Sequence, residues 1–275
     1  MQRLTSFLVP ALFLAVVSCD VGEPAPVQSD EDTTSAPPDT GGGNRSRAPR
    51  GTPLHGTIVP LYIYPDATSW GRVADAQRAH PGVTIVAVVN PNSGPGTIVD
   101  PAYTAGIQSL VSAGVTVIGY VHTSYGQRAA SAVRGDIDRW FTFYPAIDGI
   151  FFDEQNNIPG GEGYYFRADA YARKRGAAFT VANPGADTAE SYVGTADVVL
   201  IYERAGLPAL EGLGGWHERY APEEFGIIPH AVAFDPAFVA LARNTAGYIY
   251  LTPDTLPNPW DTLPPYFEQL VAALD

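Results

Sequence analysis

The sequence predicts an α/β protein of the (β/α)8 TIM-barrel type, built as a single domain over residues 55–275. Three observations predict it. From residue 55 onward, eight short apolar runs alternate with segments of helical periodicity. The runs are nearly continuous in β-branched and aromatic residues, as parallel strands covered on both faces are. Almost every run also ends in a polar or aromatic side chain, at the end where such a barrel opens its functional face.

The chain begins differently. Arg3, an apolar run from Phe7 to Val17 and Ser18-Cys19 form a secretory-type leader too short to span a bilayer. Cys19 is the only cysteine, so no intrachain disulfide can form. The stretch "VVSC" resembles the lipobox of bacterial lipoproteins. That likeness implies a signal peptide at 1–18, lipidation at Cys19, and an exported, membrane-anchored protein of the periplasm or cell surface. Residues 19–54 are rich in Pro, Asp, Glu, Ser, Thr and Gly; they lack the apolar surface to offset ordering entropy and read as a flexible tether.

The runs are "TIVPLYIY" (57–64), "VTIVAVVN" (83–90), "VTVIGYVH" (115–122), "DGIFFDE" (148–154), "AAFTVAN" (177–183), "DVVLIYE" (197–203), "GIIPHAVAF" (226–234) and "GYIYLTP" (247–253). Between them lie "TAGIQSLVSAG", "QRAASAVRGDIDRWFTFY", "YYFRADAYARKRG", "DTAESYVGTA" and "PAFVALARNTAG", several closing on the Gly that ends helices. "LPPYFEQLVAALD" supplies the last helix. A doubly wound open sheet is the competing architecture, but "YPDATSWG" after the first run is not a Gly-rich phosphate loop.

Composition narrows function. The net charge of −13, from 29 acidic against 16 basic residues, argues against a nucleic-acid binder, which needs a basic face. The run ends place Tyr62, Tyr64, Asn90, Tyr120, His122, Asp153, Glu154, Asn183, Tyr202, Glu203, His230 and Tyr250 around one mouth. Carboxylates facing each other across a pocket lined with Tyr, Trp and Asn are the equipment of a glycoside hydrolase, one as acid/base and the other as nucleophile or base. Trp70, Trp216, Trp260 and the tyrosines supply rings to stack on sugars. Singly, Asp153-Glu154 reads equally well as a helix cap and Glu203 as an ion-pair partner. His122 and His230 have no metal-ligand spacing around them and read as hydrogen-bonding pocket walls. No cofactor or metal is expected. Two other classes stay open: a carbohydrate-binding lipoprotein without catalysis, and a metal-dependent hydrolase or deacetylase.

"PLYIYP" followed by Ser69-Trp70, "VNPNSGPG", "GYVHTSYGQR", "DGIFFDE", "NPG" and "ADVVLIYE" resemble, in order and spacing, the spherulin-4 family, or spherulation-specific family 4. The likeness runs from residue 58 to the C-terminus. It implies a (β/α)8 glycoside hydrolase, since the characterised fungal member is an endo-α-1,4-N-acetylgalactosaminidase acting on galactosaminogalactan. It implies a role for Asp153, Glu154 and Glu203 without assigning which does what; Asp153 is expected as nucleophile or transition-state stabiliser and Glu203 as proton donor. Through "GYVHTSYGQR" it adds Tyr125 and Arg128 to the candidate substrate contacts. The expected partner is a polysaccharide or oligosaccharide, bound by a monomer.

Overall fold

The computed structural model describes residues 55–213 and 215–275. The expected signal peptide, Cys19 and the tether to residue 54 lie outside them. The eight strands form one closed parallel barrel: β1 Gly56–Leu61, β2 Thr84–Val89, β3 Thr116–His122, β4 Gly149–Asp153, β5 Phe179–Asn183, β6 Val198–Tyr202, β7 Phe225–Ile227 and β8 Tyr248–Ile249. Each pairs with the next, and β8 closes on β1 at Gly56↔Tyr248. That single point of closure explains how β1 carries Pro60. A proline cannot donate to a strand ladder, and at Pro60 there is no β8 ladder to break.

Among the described residues, six α-helices cover the barrel: α1 Ser69–Ala79, α2 Pro101–Ser112, α3 Ala130–Phe143, α4 Glu162–Arg175, α5 Pro236–Ala242 and α6 Phe267–Leu274. Their ends are written in local chemistry. Asp100 and Asp235 cap α2 and α5 by accepting backbone N–H bonds, each followed by a proline at the first helical position. α4 ends in Arg173, Lys174 and Arg175, which suit the negative end of the helix dipole.

Two expectations are corrected. "DTAESYVGTA" was expected as a helix; it holds a single 3-10 turn, Glu190–Tyr192. Among its described residues, the β6–β7 connection likewise holds only three short turns, Leu210–Gly212, His217–Arg219 and Pro222–Glu224. Gly206, Pro208, Gly212, Gly215 and Pro222 interrupt that stretch too often for a helix to propagate. Trp216 belongs to it, stacked on His217 at 3.7 Å and edge-on to Phe225 at 5.7 Å. Phe225 opens β7, so Trp216 packs toward the end of the barrel opposite the mouth and is not a sugar platform there. β7 and β8 are also shorter than their apolar runs.

β4 shows why the fourth run has its composition. Gly149 to Phe152 are buried, and Asp153 is where the strand emerges. Gly149 faces the Phe179 carbonyl of β5 so closely that an added Cβ would overlap it. Gly149→Ala is therefore expected to force the β4–β5 backbones apart and to cost at least the ~1–3 kcal/mol of an overpacked core, read as a lower urea midpoint with an unchanged denaturant slope.

Candidate active site

At the C-terminal end of the barrel, three strand ends converge on one amide. Asn183, the last residue of β5, is buried, and its Nδ2 donates to Asp153 Oδ1 at 2.9 Å and to Glu203 Oε2 at 2.7 Å. Those two carboxylate oxygens therefore lie closer together than the sum of the two bonds. The Asn183 Oδ1 accepts the Gly185 N–H at 3.0 Å, which fixes the amide so that its nitrogen faces the acids. On the other side of Asp153, the Tyr120 hydroxyl of β3 donates to Oδ2 at 2.7 Å. Tyr62 of the β1 end meets Tyr120 edge-on at 5.7 Å. On Glu203, the side chain of Trp260 supplies a further hydrogen bond from the β8–α6 segment.

These neighbours divide the two carboxyls electrostatically. Burial pushes the Asp153 carboxyl above the ordinary aspartate range, while bonds from Tyr120, the Glu154 backbone and Asn183 pull the other way and stabilise its charge. Burial also lifts Glu203, to about 7, with Asn183 and Trp260 opposing and the charge of Asp153 adding to the rise. Two acids sharing one dry site titrate as a pair. Burial and the same two charges raise the hydroxyls of Tyr62 and Tyr120, so both remain proton donors.

Glu154 goes elsewhere. It follows the last residue of β4 in the left-handed region, φ +54°. Its Oε2 accepts the Ser124 N–H at 3.0 Å, and its carbonyl accepts the Tyr125 N–H at 2.7 Å and the Thr123 hydroxyl at 2.8 Å. The adjacent acids thus serve opposite neighbours, Asp153 the shared amide and Glu154 the β3–α3 loop.

The remaining candidates divide in the same way. His122 is two residues beyond Tyr120 on β3 and so shares its face. His122 and His230 each carry a buried Nδ1 with no hydrogen-bond partner among the described residues, and His230 meets Trp260 edge-on at 6.2 Å. Such open bonding capacity at a mouth fits a ligand. Tyr125 stands 58% exposed on the rim. Several expected sugar contacts are instead structural. Trp70 is 3% exposed, wedged against Tyr103, with its indole N–H bound to the Ile63 carbonyl at 3.1 Å. Tyr250 is 1% exposed and lies against Trp260 at 6.1 Å. Arg128 is held by the His122 carbonyl and by Asp136 at 2.5 Å. The Tyr202 hydroxyl donates to the Gly206 carbonyl at 3.0 Å, and Asn90 Oδ1 accepts the Gly94 N–H at 2.9 Å, each closing its own loop. Tyr64 is an outer rim residue, donating to Asp100 at 3.2 Å. Trp260 was expected only as a stacking ring; its bond to Glu203 was hidden because it comes from a Pro-rich segment distant in sequence. Among the described residues, no group of three His, Cys, Asp or Glu side chains could hold a metal ion.

The Glu203 carboxyl also links the site to stability. Its folded value stands above the ordinary 4.5, so the folded state binds the extra proton between the two values. That stabilisation is full below about 4.5 and is lost as pH rises through about 7. Glu203→Gln is expected to remove this dependence and to be more stable than the parent at pH 8 by roughly 3 kcal/mol, with little gain at pH 4, in urea titrations.

The spherulation-specific family 4 model matches residues 56–274. Spherulin-4 of Physarum polycephalum is 39% identical over 161 residues, 58% of this chain; the match spans 48% of that relative's length. Among solved structures, Aspergillus clavatus Sph3 in complex with GalNAc superposes with a TM-score of 0.72 at 26% identity, covering 81% of this chain and 98% of the other.

Proposed function

The chain belongs to spherulation-specific family 4, and on that premise we propose that it is an endo-acting glycoside hydrolase for an N-acetylgalactosamine-containing exopolysaccharide, working through Asp153 and Glu203. The glycosidase-like fold is shared with Sph3, whose structure holds GalNAc. The observation that carries the chemistry is the single amide nitrogen of Asn183 shared by both carboxylates. Retaining glycosidases hold their carboxyls about 5–5.5 Å apart, and inverting ones about 6.5–9.5 Å apart to admit a water. Two oxygens bonded to one nitrogen at 2.9 and 2.7 Å fall short of the inverting gap.

Asp153 then attacks the anomeric carbon while Glu203, protonated near neutrality, gives its proton to the departing glycosidic oxygen. The C–O bond breaks and a glycosyl ester forms on Asp153. The Glu203 carboxylate next removes a proton from water, which attacks the same carbon and frees Asp153. Tyr120 and Asn183 bind the Asp153 charge before attack and after release, and Trp260 and Asn183 orient Glu203. The sugar is released with the configuration it had in the chain.

On purified galactosaminogalactan, Asp153→Asn and Glu203→Gln are each expected to lower kcat by about 10²–10⁴-fold while melting as folded proteins. The first product seen by proton NMR should retain the anomeric configuration. Full turnover in both variants, or an inverted first product, rejects this mechanism. Saturable binding without reducing-end release by the parent favours a binding lipoprotein instead.

We also propose export and acylation at Cys19. Cys19→Ser should move the protein from the membrane to the soluble fraction and abolish fatty-acid labelling; unchanged fractionation rejects the anchor.

A further inference from the structure

We propose that Glu154 is a positioning residue rather than a proton-transfer group: it pins the β3–α3 loop so that the Tyr125 ring stands at the rim as a stacking platform for a further sugar of the polysaccharide chain. The platform rests on the glycosidase reading above; the pin does not.

The pin is visible bond by bond. Thr123, Ser124 and Tyr125 present consecutive donors to Asp153 and Glu154. The Thr123 N–H and hydroxyl reach the Asp153 carbonyl at 3.0 and 2.9 Å. The Ser124 N–H reaches the Glu154 carboxylate, and the Tyr125 N–H its carbonyl. Both partners are held in left-handed backbone, with φ of +54° at Glu154, +49° at Ser124 and +55° at Tyr125. Side chains disfavour that region, so three such residues persist only where surrounding bonds over-determine them. One oxygen of the Glu154 carboxylate, Oε2, is bonded to this turn, and the carboxylate makes no bond to Tyr120, Asn183 or Glu203.

What the turn delivers is an exposed aromatic ring, one loop away from Asp153. It has company. Among the described residues, the large apolar side chains exposed to solvent include Tyr64, Ile98, Val99, Tyr125, Ile158, Leu207 and Leu256. All seven lie on segments leaving the C-terminal ends of strands; only Phe166 and Leu241 sit on helices. An apolar rim around a buried acid pair fits an extended chain whose outer sugars offer C–H faces and acetamido methyls.

Gln keeps the oxygen that accepts the Ser124 N–H; Ala does not. That separates holding from proton transfer. On α-1,4-linked N-acetylgalactosamine oligosaccharides of increasing length, Glu154→Gln is expected to keep kcat within about threefold of the parent and both limbs of its pH profile. Glu154→Ala and Tyr125→Ala should each raise KM about tenfold on long chains, with little change in kcat on the shortest one cleaved, and the double variant should be no worse than the worse single. In the unliganded protein, amide hydrogen exchange at Ser124 and Tyr125 should accelerate in Glu154→Ala and stay slow in Glu154→Gln. If Glu154→Gln loses 100-fold or more in kcat together with one pH limb, Glu154 is catalytic and the proposal falls. Unchanged exchange in Glu154→Ala overturns the pin. Additive effects of Tyr125→Ala and Glu154→Ala overturn the link between them. If the parent neither cleaves nor, by calorimetry, binds these oligosaccharides, the glycosidase reading fails and the platform with it, while the exchange result still decides the pin.

Discussion

Everything at the mouth depends on one nitrogen. Asn183 Nδ2 carries two hydrogens and gives one to each of two buried carboxylates. Without it, two acids in a dry pocket would repel or recruit water, and neither oxygen would have a fixed place. With it, the distance between them is set by hydrogen-bond geometry rather than by flexible side chains. The amide is itself fixed from behind by the Gly185 N–H. β5, which carries it, lies in register beside β4, with Asp153 opposite Asn183. The placing of the carboxylate pair therefore follows from a strand ladder.

The rest of the mouth divides labour between loops that are closed and groups that are left open. Asn90 Oδ1, the Tyr202 hydroxyl, the Arg128 guanidinium and Glu154 Oε2 each bond to backbone of the surrounding loops and strand ends. His122 and His230 keep a buried nitrogen unspent. Non-glycine left-handed residues collect here too, at Ser93, Ser124, Tyr125, Glu154 and Ala231, all on segments leaving strand ends. Strain on this face, against regular caps on the helices, is the pattern of a site over-determined by its surroundings. In the outer layer, 3-10 turns replace helices after β5 and β6, the strands that lead to Asn183 and Glu203, without disturbing the closed barrel.

The strand-end rule gathers the candidates because a parallel barrel leaves little choice: side chains at the C-terminal ends of eight strands must share one opening. Among the residues it gathers, Tyr62, Tyr120, Asp153, Asn183 and Glu203 meet. It was too generous with Tyr202 and Tyr250, because position along a strand says nothing about which face a side chain takes once the strand ends. Trp70 and Trp216 were misread for a related reason. A tryptophan can serve a sugar or a core equally well, and composition does not distinguish them. Trp260 showed the reverse case: its partner, Glu203, is more than fifty residues away in the chain, a separation no local pattern bridges.

By itself, then, the sequence determined the periodicity of eight buried runs, the helix caps, and which residues could reach the mouth, because those are consequences of local sterics and of burial along one element. Only the tertiary structure decided between Asp153 and Glu154. The left-handed turn at Glu154 sends one carboxylate to Asn183 and the other to the β3–α3 loop, and that turn is held by bonds from a loop some thirty residues earlier. Adjacent in the chain and alike in charge, the two acids differ only in what the folded barrel brings to each.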